Sequence, residues 1–105
     1  MDIQQFEKAL SSLGYPITFH HFDRPQDLPF LVWMEDNSSN INSDLSIYRP
    51  VDSYQFDFYY ASWAQRKKLE ADLTKIGYPW QRTETDTWID SEKMYRSGYE
   101  IGEGL

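Results

Sequence analysis

Asp52-Ser53-Tyr54-Gln55-Phe56-Asp57-Phe58-Tyr59-Tyr60 sets large rings and smaller or polar side chains in alternation. Successive strand residues point to opposite faces, so Tyr54, Phe56, Phe58 and Tyr60 share one side. Ser53, Gln55, Asp57 and Tyr59 share the other. This stretch is read as the central strand of a sheet, with Phe56 and Phe58 buried beneath helices.

Toward the N-terminus, Ile47-Tyr48 has strand character and is separated from the central strand by Arg49-Pro50. Residues 36–46, Asp-Asn-Ser-Ser-Asn-Ile-Asn-Ser-Asp-Leu-Ser, are the most polar segment and favour a long loop. That loop is expected to join two antiparallel strands as an extended hairpin. Phe30–Glu35 is apolar at nearly every position, as in a strand covered on both faces. Asp23–Pro29 carries two prolines and reads as a loop, and Ile17–Phe22 as a short strand. Ile3, Phe6, Ala9, Leu10 and Leu13 fall at helical spacing, with Asp2 as N-cap and Gly14-Tyr15-Pro16 as the stop.

Toward the C-terminus, residues 63–76 return to helical spacing. Leu69, Leu73 and Ile76 form the inner stripe, and Arg66, Lys67, Glu70 and Lys75 are expected outward. Gly77 and Pro79 stop this helix. Leu10-x-x-Leu13-Gly14-Tyr15-Pro16 thus has an echo in Leu73-x-x-Ile76-Gly77-Tyr78-Pro79, one stop-and-turn signal used twice. Trp80–Thr85 and Met94–Ile101 read as strands, with Gly98 marking a bulge or a close backbone approach. Residues 102–105 are expected to fray. The order α-β-β-β-α-β-β gives a single α+β domain spanning 1–105. It is a mainly antiparallel sheet with two helices packed on one face.

Composition narrows the function classes. The 105 residues contain no cysteine, which removes disulfides, a thiolate nucleophile and Cys-bound zinc. A formal net charge of −7 opposes nonspecific phosphate binding. The one basic cluster, Arg66-Lys67-Lys68, precedes Glu70 and Asp72 and reads as a solvated helix face. The first residues show no basic and apolar leader pattern, and no apolar run approaches the roughly 20 residues that span a bilayer. No membrane association is therefore expected.

Sites of chemistry are also few. His20-His21, placed on a strand, would point to opposite faces and could not chelate one metal. The serines lack a Gly-x-Ser-x-Gly elbow, and the glycines do not form a phosphate loop. Asp36-x-Ser38-x-Asn40-x-Asn42 with Asp44 loosely resembles a calcium loop. It lacks the glycine and glutamate that make an EF-hand specific, and is read as hydrated. No enzyme activity, cofactor or metal is expected. The aromatics are the remaining signal, because 4 Trp, 8 Tyr and 6 Phe exceed what so small a core encloses. Trp33, Tyr48, Tyr59, Trp88 and Tyr95 are the candidate interface residues, within a wider set that includes Trp63 and Trp80.

The succession of short stretches resembles the tail terminator (tail-to-head joining) proteins of long-tailed phages and prophages of Gram-positive bacteria. The stretches are Phe19-His20-His21-Phe22, Leu28-Pro29-Phe30-Leu31-Val32-Trp33, Leu45-Ser46-Ile47-Tyr48, Tyr54-Gln55-Phe56-Asp57-Phe58-Tyr59 and Asp90-Ser91-Glu92-Lys93-Met94-Tyr95. The resemblance covers nearly the whole chain. It departs from the family at Asn40-Ile41-Asn42-Ser43-Asp44-Leu45, where the family's loop often carries glycine. It implies a ring, usually a hexamer, that caps the tail tube and docks to the head connector while DNA passes through without specific binding. Its partners would be other copies of itself, the tail tube protein and the head connector protein. It would be assembled in the host cytoplasm and reside in the virion. Asn40, Ile41, Asn42, Asp44 and Leu45 are then the expected assembly loop, with Ile41 and Leu45 as apolar anchors. The alternatives are a head-tail connector stopper or adaptor, and an acidic inhibitor that mimics DNA. The mimic fits less well because the acids are interleaved with Arg and Lys on both helices.

Overall fold

The computed structural model describes residues 2–33 and 53–102. The 36–46 loop with Asn40, Ile41, Asn42, Asp44 and Leu45 lies outside the described residues, as do Tyr48 and residues 103–105. The elements are α1 (Ile3–Ser11), β1 (Ile17–Phe19), β2 (Phe30–Trp33), β3 (Ser53–Tyr60), α2 (Trp63–Ile76), β4 (Trp80–Ile89) and β5 (Met94–Gly102). This is the α+β order expected from the sequence.

Each helix begins on a side chain that satisfies otherwise unpaired backbone donors. Gln5 N–H donates to Asp2 Oδ1 at 2.8 Å, and Asp2 N–H donates to Gln5 Oε1 at 2.8 Å, closing a capping box on α1. Ser62 caps α2 by accepting from Gln65 N–H. α2 stops at Gly77 with φ 97°, a left-handed position that costs other residues a steric clash. Gly14, just past α1, sits at φ 85°, so the echoed sequence signal corresponds to the same turn.

The five strands lie in the order β1-β2-β3-β5-β4. Among the described strands only β1 and β2 run parallel; β2–β3, β3–β5 and β5–β4 are antiparallel. β3 is central and pairs along its whole length with β5, from Ser53↔Gly102 to Tyr60↔Tyr95. Phe56 is 3% exposed and Phe58 fully buried. Phe6 and Leu10 from α1 join Leu69 and Leu73 from α2 on that side, with Leu31, Tyr60, Tyr99 and Ile101 completing one core. Phe6 stacks on Tyr54 at 4.9 Å and meets Trp33 edge-on at 5.2 Å. Each such buried ring or Leu contributes about 1.5–3 kcal/mol of transfer free energy.

Several boundaries differ from the sequence reading. β1 ends at Phe19 because His20 takes φ 72° and turns the chain, so the two histidines do not alternate on a strand. β2 is covered by helices on one face only, and Val32 on the reverse is half-buried. β4 continues to Ile89, beyond the expected Thr85, because β5 supplies backbone partners as far as Met94. Ladder pairing here outweighs the polar composition of 81–87. Gly102 does not fray: it pairs with Ser53, and its N–H donates to Pro79 O at 2.9 Å. At Gly98 both sequence readings apply. The β4 register shifts beside it, and an added Cβ would lie 2.8 Å from Thr83 Oγ1.

Candidate functional site

With α1 and α2 on one face, the reverse face of the sheet presents Phe30, Val32, Tyr59, Asp57, Met94, Arg96 and Glu100. Two arrangements organise it. On the β3–β5–β4 side, Arg96 Nη1 donates to Asp57 Oδ1 at 3.0 Å, and its other terminal nitrogen donates to Glu84 Oε2. Asp57 and Glu84 flank Gly98 from the two neighbouring strands, so the guanidinium bridges them across a position with no side chain. Burial raises the Asp57 carboxyl above its ordinary range, outweighing the attraction of Arg96. Nearby, Glu100 accepts from Ser53 Oγ at 2.7 Å and from Gln81 Nε2 at 3.1 Å.

On the β2 side the face becomes apolar. Phe30 stacks on Tyr59 at 4.9 Å, and Phe22 meets Phe30 edge-on at 5.3 Å. The loop after β1 stands over these rings and encloses an open groove of about 720 Å³. Phe30, Val32, Tyr59 and Met94 lie along it with Phe22 and Leu28, while Asp23, Asp27, Glu92 and Arg24 stand around it. His20 and His21 also border the groove and are exposed. His21 Nε2 lies 3.8 Å from Asp23 Oδ1. Among the described residues, no group of three or more His, Asp or Glu is placed to hold a metal ion.

The helix-bearing face has two polar staples where α2 crosses β4 and β5. Tyr60 donates its hydroxyl proton to Asp86, which also accepts from Arg66 Nη1 at 3.3 Å. Ser97 Oγ lies 2.8 Å from the Tyr60 oxygen and accepts from Asp86 N–H at 3.0 Å. Because the Tyr60 proton is committed to Asp86, the Ser97 hydroxyl donates to Tyr60, closing a ring of three bonds. One helical turn on, Tyr99 donates to Glu70 Oε2 at 2.8 Å, and Arg82 Nη1 donates to the same oxygen at 3.0 Å. Arg66 and Glu70, expected outward, therefore turn toward the sheet, where β4 and β5 offer polar partners rather than water. Burial first, then the neighbouring Asp86, pushes the Tyr60 hydroxyl up to about 12; Tyr99 shifts the same way by burial and Glu70. These groups hold α2 down on β4 and β5.

The interface aromatics separate. Trp33 is only 8% exposed, packed against Phe6 and Phe19, which corrects its place among surface candidates. Its β-partner Phe56 faces the helices, so Trp33 must face them too. Tyr59 is half-buried on the reverse face. Trp88 is 47% exposed and leans on Tyr95 at 4.8 Å, and Tyr95 stacks on Tyr60 at 5.7 Å. Trp63, which belonged only to the wider set, is the most open at 61%, with the Arg66 guanidinium 6.0 Å from its ring centroid. Its position in the first turn of α2, one residue past the Ser62 cap, was the available signal. The groove residues Phe22, Phe30 and Met94 were missed, because strand pattern does not reveal which face lacks helices.

Comparison with family models, with curated proteins and with solved structures finds no match.

Proposed function

We propose that this chain is a structural subunit of a ring in virion assembly, of the tail terminator type that caps the tail tube and meets the head connector. One observation carries the reading: the domain has two unlike apolar surfaces on opposite sides of one sheet. Trp63 and Trp88 stand out on the helix-bearing side, and the Phe22–Phe30–Tyr59 groove lies on the reverse. A ring built head to tail needs two different, complementary patches on each copy, whereas a two-fold dimer needs only one. Exposed tryptophans of this kind are favoured anchors in protein interfaces.

The DNA-mimic reading has less support. Asp57, Glu70, Asp72, Glu84, Asp86 and Asp90 each hold an Arg or Lys of the same chain, which interrupts the continuous acidic face a mimic requires. Native mass spectrometry of the purified chain, alone and with tail tubes, tests the proposal. A closed oligomer, or one that closes only on tube ends, is the expected result. A chain that stays monomeric and ignores the tubes would sink it, and capture of the head connector without the tube would favour the stopper or adaptor.

A further inference from the structure

We propose that the groove on the reverse face of the sheet receives an extended peptide segment carrying an aliphatic or aromatic side chain flanked by Lys or Arg. The groove is also one of the two patches on which the ring reading rests, and a peptide titration tells the two occupants apart: a second copy of the chain, or a basic peptide from another partner.

Its floor is apolar and already assembled. Tyr59 and Phe30 are cross-strand partners held face to face, and Phe22 closes one side at right angles. Val32 and Met94, both half-buried, extend the floor on either flank. The groove is open along its length, so an extended chain can lay one side chain on the rings while its backbone stays in water. A compact small molecule would leave much of its own surface wet in so open a site.

The rim selects the charge. Asp23, Asp27 and Glu92 surround the groove against the single guanidinium of Arg24. Among the described residues Asp27 and Glu92 form no ion pair, and Asp23 Oδ1 has His21 Nε2 at 3.8 Å. Six other described carboxylates are already engaged, while Asp2, Glu7 and Glu100 lie away from the groove. Asp57, Glu84, Asp86, Glu70, Asp72 and Asp90 are all spoken for by Arg or Lys. Arg96, the closest interior cation on this face, is engaged by two carboxylates and cannot neutralise the rim. Basic residues on a ligand would meet carboxylates without first breaking an internal pair, and complementary charge of this sort fixes partner choice.

The test is an amide NMR titration of the full chain with acetyl-Lys-Leu-Lys-Phe-Lys-amide. Acetyl-Glu-Leu-Glu-Phe-Glu-amide and acetyl-Lys-Gly-Lys-Gly-Lys-amide serve as controls. The expected result is a saturable shift of the Phe30, Val32, Tyr59 and Met94 amides with the first peptide only. Asp27→Lys with Glu92→Lys, both at exposed positions, should weaken binding at least about tenfold, and Val32→Glu should do the same through the floor. Equal binding of the acidic peptide would overturn the charge argument, and equal binding of the glycine peptide would overturn the apolar one. Shifts mapping elsewhere, or no saturable shift, would overturn the site. Shifts at these amides that track protein concentration without peptide would assign the groove to a second copy of the chain and refute the proposal.

Discussion

On the helix-bearing side of the sheet, Phe56, Phe58, Tyr60 and Tyr99 are removed from water. One residue away along the same strands, Asp57, Tyr59 and Arg96 face the reverse side and remain partly wet. The first face is held by area: rings from four strands meet Phe6, Leu10, Leu69 and Leu73, and polar atoms enter only as paired staples at its border. The second is held by cross-strand charge pairs and carries an apolar groove. Apolar burial and partly wet charge pairing are thus separated by the two-residue period of β-structure, and a change on one face can leave the other intact.

The largest test of this division is Phe56→Ala. It empties a site 3% exposed at the centre of the core, and urea unfolding should register a loss of about 3–5 kcal/mol. A loss below 1 kcal/mol would mean that the helix-bearing face is not where stability resides.

Next comes alkaline pH. Tyr60 is pushed up to about 12 and Tyr99 is raised likewise, against an ordinary value of 10.0. The unfolded chain releases these protons first, so their contribution is complete below pH 10 and is lost as pH climbs toward 12. The fall should be about 1.4 kcal/mol per pH unit for each tyrosine. Tyr60→Phe should remove one share of that slope in urea melts across this window, and an unchanged slope would contradict the buried staple.

Gly98→Ala probes the reverse face, because the new methyl would press on Thr83 Oγ1 beneath the Arg96 bridge. A cost of about 1–2 kcal/mol is expected, with β4 yielding part of the strain as an edge strand. The smallest effect belongs to Tyr59→Ala. This ring is only partly buried, so the loss should be about 1 kcal/mol. The same substitution should abolish binding of the Lys-Leu-Lys-Phe-Lys probe. A Tyr59→Ala penalty matching that of Phe56→Ala would erase the distinction between the faces.

The alternation at 53–60, the stripes of both helices and the Gly14 and Gly77 stops were readable in the sequence, because each depends on neighbours within one or two turns of chain. Asp2 as a cap and the existence of all seven elements follow from the same local rules. Residues whose environment comes from distant strands were not readable. Trp33 looked like a surface aromatic until pairing with Phe56 and the approach of Phe6 enclosed it. Arg66 and Glu70 looked solvated until β4 and β5 brought Asp86, Tyr99 and Arg82 beneath α2. The groove drew no notice because its walls come from four separate stretches of chain.

By itself, then, the sequence determined which residues form strands and helices and which strand lies at the centre. Periodicity and capping act through hydrogen bonds and side-chain directions that are local in the chain. Only the tertiary structure decided that β1 runs parallel to β2, that β4 runs on to Ile89, and that the rim carboxylates gather beside the Phe22, Phe30 and Tyr59 rings. Those outcomes depend on which strands become neighbours, and strand order is set by the combined burial and backbone pairing of segments far apart in sequence.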